Sequence, residues 1–137
     1  MSNTIQPTTR QTKYVSAVID ALSTLGHATN LELQREVQKT HPEVSATTIH
    51  RVTARLKERG SISCAPKPTN GSERYDITPA PHHHFMCVAC SRICDVPETP
   101  EALAVIEQLK ELSGQCAIAG TLTMRGICKQ CAKEKYE

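Results

Sequence analysis

Tryptophan is absent from the 137-residue chain, which holds one Phe and three Tyr. That scarcity excludes a large aromatic core. It also excludes the aromatic stacking platform on which many single-stranded nucleic-acid binders rely. Long apolar runs are missing too: nothing approaches the roughly 18 residues that span a bilayer. Met1 to Pro7 is polar and carries no apolar signal-peptide core, so a cytoplasmic location is expected. Charge of one sign is also scarce, with 16 Lys and Arg against 14 Asp and Glu. Residues 1–76 carry ten basic and seven acidic side chains, and residues 77–137 six and seven. The basic lean of the first half is too small to establish a nucleic-acid partner alone. The length has room for one domain or two small ones, and none for a separate catalytic domain. Hydrophobic residues at 39% and charged residues at 22% are ordinary for a globular chain and argue against disorder throughout.

Against these absences stand seven Cys and six His. In a reducing cytosol, clustered thiols read as metal ligands before disulfides. An odd number also excludes complete pairing within one chain.

The first half patterns as three helices and a hairpin. Val15, Val18, Ile19, Leu22 and Leu25 mark one face of a helix from about Thr12 to Leu25, with Gly26 as its stop. Thr29 and Glu32 form a capping-box signature for a second helix running to about Thr40, ended by His41-Pro42. Ser45 can cap a third helix, about Ala46 to Arg59, whose Ile49, Val52 and Leu56 point inward. Thr47, His50, Arg51, Ala54 and Arg55 then lie on its outer surface. Ile62 to Cys64 and Arg74 to Ile77 flank a turn-rich stretch with Asn70-Gly71, which predicts a hairpin. Three helices and a hairpin suggest a winged helix-turn-helix, its third helix entering a major groove. Arg51 and Arg55, one turn apart, can reach guanine edges or phosphates. A solvated helix face of an ordinary small domain carries such arginines equally well.

The second half holds the metal chemistry. Cys87-x2-Cys90 and Cys128-x2-Cys131 supply four thiolates in two knuckles, the donor set of a tetrahedral structural zinc site. The 37 residues between the pairs have room for a strand, a helix and another strand. Pro100 opens the helix, with Ala102, Val105, Ile106, Leu109 and Leu112 on one apolar face. Leu122 and Met124 then alternate with Thr121, Thr123 and Arg125, as in a half-buried strand. The competing reading is unrelated buried thiols or redox CxxC pairs. His82-His83-His84 precedes Phe85-Met86-Cys87 in an apparent strand entry. Alternation puts His82 and His84 on one face and His83 on the other. Two imidazoles make half a metal site, to which Asp76, Asp95 and His27 could add donors. Cys64, Cys94 and Cys116 remain without an assigned role; Cys94, close to Cys90, could be an alternate ligand, a redox partner or small apolar filler.

A winged helix followed by His-x-His-x2-Cys-x2-Cys and a closing Cys-x2-Cys resembles the ferric uptake regulator (Fur) family, over about Thr9 to Lys133. The resemblance is carried by His27-Ala28-Thr29, Ser45-x2-Thr48-Ile49-x-Arg51, Arg74-Tyr75-Asp76, the run from His82 to Cys90, and Gly126-Ile127-Cys128-x2-Cys131. It is closest to the peroxide-sensing PerR branch, whose regulatory metal takes three His and two Asp. That pattern falls here on His27, Asp76, His82, His84 and Asp95. The zinc-sensing branch commonly has Cys where Asp76 stands, so the resemblance leans toward iron or manganese, although zinc binds such ligands well. Three departures stand out. His50 replaces the family's usual Tyr on the recognition helix, an Arg is lost from the Thr12-Lys13-Tyr14-Val15 stretch, and Ala119-Gly120 replaces a His-His step belonging to an additional metal site.

The fold expected is α+β: an N-terminal winged helix-turn-helix at 1–78 and a small α/β dimerisation domain with a four-cysteine zinc site at 79–137. The resemblance implies a homodimeric, metal-dependent repressor. Structural Zn2+ would sit at Cys87, Cys90, Cys128 and Cys131. Regulatory Fe2+ or Mn2+, or alternatively Zn2+, would sit at the His/Asp set. Thr47, Thr48, His50, Arg51 and Arg55 would meet a double-stranded operator. If iron is bound, the peroxide-sensing branch implies oxidation of a ligating His, with His27 and His82 the candidates. No membrane, small-molecule substrate or enzymatic activity is expected. A metallohydrolase would need an open coordination position and a general base beyond the ligands. The remaining alternative is a zinc-stabilised thiol-redox or interaction module.

Overall fold

The computed structural model describes residues 10–113 and 121–136. The chain divides into two compact units, Met1–Pro79 and Ala80–Glu137. The first contains α1 (Arg10–Leu25), β1 (His27–Thr29), α2 (Asn30–Val37), α3 (Ala46–Glu58), β2 (Ser63–Ala65) and β3 (Arg74–Asp76).

Local chemistry sets these boundaries. Gly26 adopts φ 80°, and its N–H bonds the Leu22 carbonyl at 2.6 Å, which ends α1 and turns the chain into β1. The capping box at Thr29 and Glu32 is present and starts α2, which stops at Val37, three residues earlier than expected. The Ser45 side chain accepts from the Thr48 N–H at the start of α3. The hairpin strands start one residue later than β-propensity indicated on the first arm, and pair Ser63 with Asp76 and Cys64 with Tyr75. Their turn is closed by the Gly71 N–H on the Pro68 carbonyl, with Gly71 at φ 81°.

The core of this unit joins Val18 and Leu22 of α1, Leu33 and Val37 of α2, Ile49, Val52 and Leu56 of α3, and Ile62 and Tyr75 of the hairpin. One expectation is corrected. Tyr14 and Ala21 are buried with Val18 and Leu22, Val15 and Ile19 pack at the edge, and Leu25 stays 41% exposed. Leu25 lies in the last turn before the Gly26 reversal. Tyr14 occupies the other end of the stripe because its ring can be buried while its hydroxyl reaches Glu43 at 2.6 Å. The sheet of this unit has the order β1-β3-β2, so β3 is central. Strand β1 was not anticipated: its three residues are too few to show a period.

The second unit contains β4 (His84–Cys87), β5 (Ile93–Asp95), α4 (Pro100–Ser113), β6 (Thr123–Gly126) and α5 (Lys129–Tyr136). Its sheet has the order β5-β4-β6, with β4 antiparallel to β5 and parallel to β6. A parallel neighbour needs a crossover, and the stretch containing α4 supplies it. Close approach of β6 to β4 depends on Gly126, where an added Cβ would stand 3.2 Å from the Phe85 ring.

Two further expectations are corrected here. The apolar face of α4 is real, but none of its residues is buried: Leu103, Val105, Leu109 and Leu112 are exposed, and Ala102 and Ile106 only half-buried. Met124 of β6 is likewise 54% exposed rather than facing a core. Periodicity reports which side chains would be buried together, not whether one chain can cover them. The closing helix α5 escaped the pattern because its sequence is almost wholly polar apart from Cys131, Ala132 and Tyr136. No described helix is long and apolar enough to cross a membrane.

Candidate metal centres and nucleic-acid face

The four predicted thiols converge within the second unit. Cys87 ends β4, Cys90 lies in the following turn, Cys128 follows β6, and Cys131 lies in the first turn of α5. Their sulfur atoms all lie within 4.8 Å of one another, with Cys90 and Cys128 3.8 Å apart. The edge of a tetrahedron with zinc–sulfur bonds of about 2.3 Å is also about 3.8 Å. Backbone N–H groups point at the sulfurs: Cys128 N–H donates to Cys87 Sγ at 3.3 Å, and Cys131 N–H to Cys128 Sγ at 3.5 Å. The turn after β4 is closed by Ser91 N–H on the Cys87 carbonyl, and Ser91 takes a left-handed φ of 66° to make it.

This arrangement favours thiolates until they crowd one another. Backbone donation from Cys128, then from Cys90, draws the Cys87 thiol down to about 6. The Cys131 N–H similarly lowers the Cys128 thiol. Cys131 is pushed up to about 12, first by its neighbour Cys128 and then by Cys90. N–H donors stabilise the first negative charges, and those charges oppose the last. A divalent cation would relieve that opposition, so the donor set fits a tetrahedral metal.

Cys64 and Cys94 stand outside the cluster. Cys64 is exposed on β2, 3.7 Å from the Glu73 carboxylate, and Cys94 is exposed on β5 opposite Phe85. Cys94 is therefore not positioned as an alternate ligand. Cys116 lies outside the described residues.

The five His/Asp candidates form two sets, one in each unit. In the first, β1 and β3 pair His27 directly with Asp76, and His27 Nε2 lies 3.2 Å from Asp76 Oδ2. The other oxygen of Asp76 accepts from the Thr78 N–H at 2.8 Å, which orients the carboxylate. In the second unit, β4 and β5 pair His84 with Asp95. Asp95 Oδ1 lies 3.5 Å from His84 Nε2 and 3.1 Å from His82 Nε2. The two imidazole rings have centroids 4.4 Å apart. His82 Nδ1 bonds the Ala80 carbonyl at 2.7 Å, which leaves Nε2 facing the carboxylate. His83 points elsewhere, its Nδ1 accepting from the Leu122 N–H at 2.9 Å. Nitrogen and carboxylate oxygen donors of this kind fit Fe(II), Mn(II) or Zn(II).

Helix α3 exposes Thr47, His50, Arg51 and Arg55, while Thr48 is half-buried and bonded through its hydroxyl to Ser45. Asn30 and Thr53, which periodicity does not single out, lie beside this face. Thr53 is fully buried, and its hydroxyl lies 2.9 Å from Asn30 Oδ1; Asn30 Nδ2 lies 3.2 Å from His50 Nδ1. The one available signal was a hydroxyl at position 53, four residues after Ile49 on the core face.

A winged-helix unit followed by a small mixed unit with a four-cysteine site defines the class of protein. The chain belongs to the ferric uptake regulator family, whose family model matches residues 6–118. It is 28% identical over 90 residues to the ferric uptake regulation protein of Neisseria meningitidis, an alignment spanning 65% of this chain and 61% of that protein. It is 25% identical over 123 residues to the peroxide operon regulator of Bacillus subtilis, spanning 87% of this chain and 81% of that protein. Its fold matches the Campylobacter jejuni peroxide stress regulator with a TM-score of 0.68 at 24% identity, covering 89% of this chain and 91% of that one.

Proposed function

We propose that this protein is a homodimeric, metal-dependent transcriptional repressor responsive to Fe(II) or Mn(II). Family membership supports regulation rather than catalysis. The observation that carries the metal response is the pairing of His with Asp across a short antiparallel ladder in each unit. His27 and Asp76 from residues 1–78, with His82, His84 and Asp95 from residues 79–137, supply the regulatory ligands.

Structural zinc at Cys87, Cys90, Cys128 and Cys131 supplies folding energy to the second unit, which has few buried apolar residues. The exposed apolar side of α4 supports a second copy of the chain as its cover, giving the dimer. Thr47, Thr48, His50, Arg51 and Arg55 meet double-stranded operator DNA in the cytoplasm, two recognition helices to adjacent major grooves. The likeness to peroxide regulators, together with a donor set free of thiolates, supports peroxide sensing through a bound iron.

The test is metal content and DNA binding on reduced, anaerobically purified protein. One zinc that survives mild chelation, plus a second exchangeable metal required for DNA retention, is expected. DNA binding that is unchanged in the His82→Ala/His84→Ala double variant would sink the regulatory assignment. Selective response to zinc at the second site would instead establish the zinc-responsive alternative.

A further inference from the structure

The hydrogen-bond chain from Thr53 through Asn30 to His50 has a chemical direction. All three close neighbours of the Thr53 hydroxyl are oxygen acceptors: Asn30 Oδ1 at 2.9 Å, and the Ile49 and His50 carbonyls, each at 3.2 Å. The hydroxyl therefore donates, and the shortest contact is to the Asn30 oxygen. With its oxygen on Thr53, the Asn30 amide turns its NH2 toward the His50 ring, 3.2 Å from Nδ1. A ring nitrogen facing an N–H donor must be the bare one, so the proton of neutral His50 sits on Nε2.

His50 is exposed on the same side of α3 as Thr47, Arg51 and Arg55. Asn30, in contrast, belongs to α2. The relay thus uses one helix to choose the hydrogen-bonding character presented by another. Thr53 is fully buried, which holds the start of the chain fixed within the core.

We propose that Asn30 is a positioning residue that holds His50 as a single N–H donor, making His50 a specificity-determining reader of hydrogen-bond acceptors in the major groove. Purine N7, guanine O6 and thymine O4 are such acceptors, and the exocyclic amines of adenine and cytosine are not. Guanine, with N7 and O6 side by side, fits best. The inference rests on the DNA-binding reading above and deepens it by naming the base edge.

The experiment has two arms on the full-length, zinc-loaded protein, with manganese added only for the second. The first records 15N chemical shifts of the His50 ring nitrogens without DNA. It should show Nε2 protonated in the native protein, and mixed tautomers in Asn30→Ala and in Thr53→Val, with the other histidine signals unmoved. The second selects bound sequences from a randomised duplex library. The native protein should enrich guanine at one position in each half-site. Asn30→Ala and His50→Ala should each relax that position by about tenfold, while binding to unselected DNA holds in Asn30→Ala. A native protein protonated on Nδ1 would overturn the inference, as would selection unaltered in both Ala variants. No enrichment by the native protein would overturn the DNA-binding reading along with it.

Discussion

His84 faces Asp95 across the β4–β5 ladder, and their side chains stand 3.5 Å apart. The first unit repeats the device, with His27 facing Asp76 across β1–β3 at 3.2 Å. Directly opposed residues in an antiparallel pair have Cβ atoms about 5 Å apart, so register alone brings an imidazole to a carboxylate. A ladder of three residues suffices because neither pair needs a long strand. It needs one correct opposition and a backbone that cannot slip. Tyr75, buried in the core beside Asp76, resists slippage in the first unit, since a one-residue shift would turn it out of the apolar core to the face that carries Asp76.

Removing the shared carboxylate should uncouple DNA binding from metal. In Asp95→Ala, the manganese concentration needed for half-maximal DNA retention should rise about a hundredfold or more, the upper end of what loss of a ligand-supporting group produces. Zinc content should stay at the native value. Fluorescence anisotropy under manganese titration, with elemental analysis alongside, checks both.

Loss of the four-thiolate site should affect one unit selectively. Cys128→Ser, or stripping of the metal by a strong chelator under reduction, should abolish hydrogen-exchange protection in β4, β5 and β6. Amides of Val18, Leu22 and Ile49 should remain protected, because their core contains no cysteine ligand. Structural zinc sites carry about 10–16 kcal/mol of apparent binding energy in small peptides, far above what this lightly buried unit gains from its apolar contacts. Equal loss of protection in both units would contradict the assignment.

The apolar side of α4 should be a subunit surface. Leu109→Asp puts a charge into it without replacing a buried residue, since α4 has none. Sedimentation should then report a monomer where the native protein is a dimer, with the circular-dichroism signal of helix retained. Dimer persistence in Leu109→Asp, and in Leu112→Asp, would locate the interface elsewhere.

Glu43 should add one small acid-sensitive contribution to the first unit. Its carboxyl is lowered from 4.5 to about 2, foremost by the hydrogen bond from the Tyr14 hydroxyl and also by the Lys13 ammonium 3.5 Å away. A carboxyl with a depressed pKa stabilises the fold fully above its unfolded value, and that contribution fades as pH falls from 4.5 toward 2. The 13C shift of the Glu43 carboxyl should titrate near the low value in the native protein. In Tyr14→Phe the midpoint should move back toward 4.5.

Peroxide should leave a chemical mark if iron fills the regulatory site. Iron-loaded protein treated with hydrogen peroxide should yield a peptide containing His27 or His82 heavier by about 16 mass units, one added oxygen. The manganese-loaded protein should show none. Absence of the adduct with iron bound would make the protein a metal sensor without peroxide chemistry.

Much of this architecture could be read without coordinates because it is local. The capping box at Thr29 and Glu32, the Ser45 cap and the reversals at Gly26 and Gly71 are short-range signals, and each appears in the structure. The two Cys-x2-Cys knuckles were equally plain as motifs, and their convergence into one cluster favours metal ligation over separate redox pairs. Strand β1 was invisible for the same reason reversed: three residues show no period, and only pairing with β3 makes them a strand. The buried side of α1 was read correctly at Val18 and Leu22 but without Tyr14, a partly polar residue whose hydroxyl finds Glu43.

Residue types and spacing were enough to single out four sulfurs and the paired imidazoles of His82 and His84 as candidate donors, because coordination preference is a property of the atoms themselves. The family resemblance added His27, Asp76 and Asp95 as a set. Convergence is different. His27 and Asp76 are 49 positions apart in the chain, and nothing between them dictates that they meet. Their opposition follows from the register of β1 on β3, which hydrogen-bond pairing and burial of Tyr75 select. The tautomer of His50 lies further still from sequence. It depends on a hydroxyl in α3 and an amide in α2 being held together by the packing of two helices, and a hydrogen bond has direction only once both partners have a place.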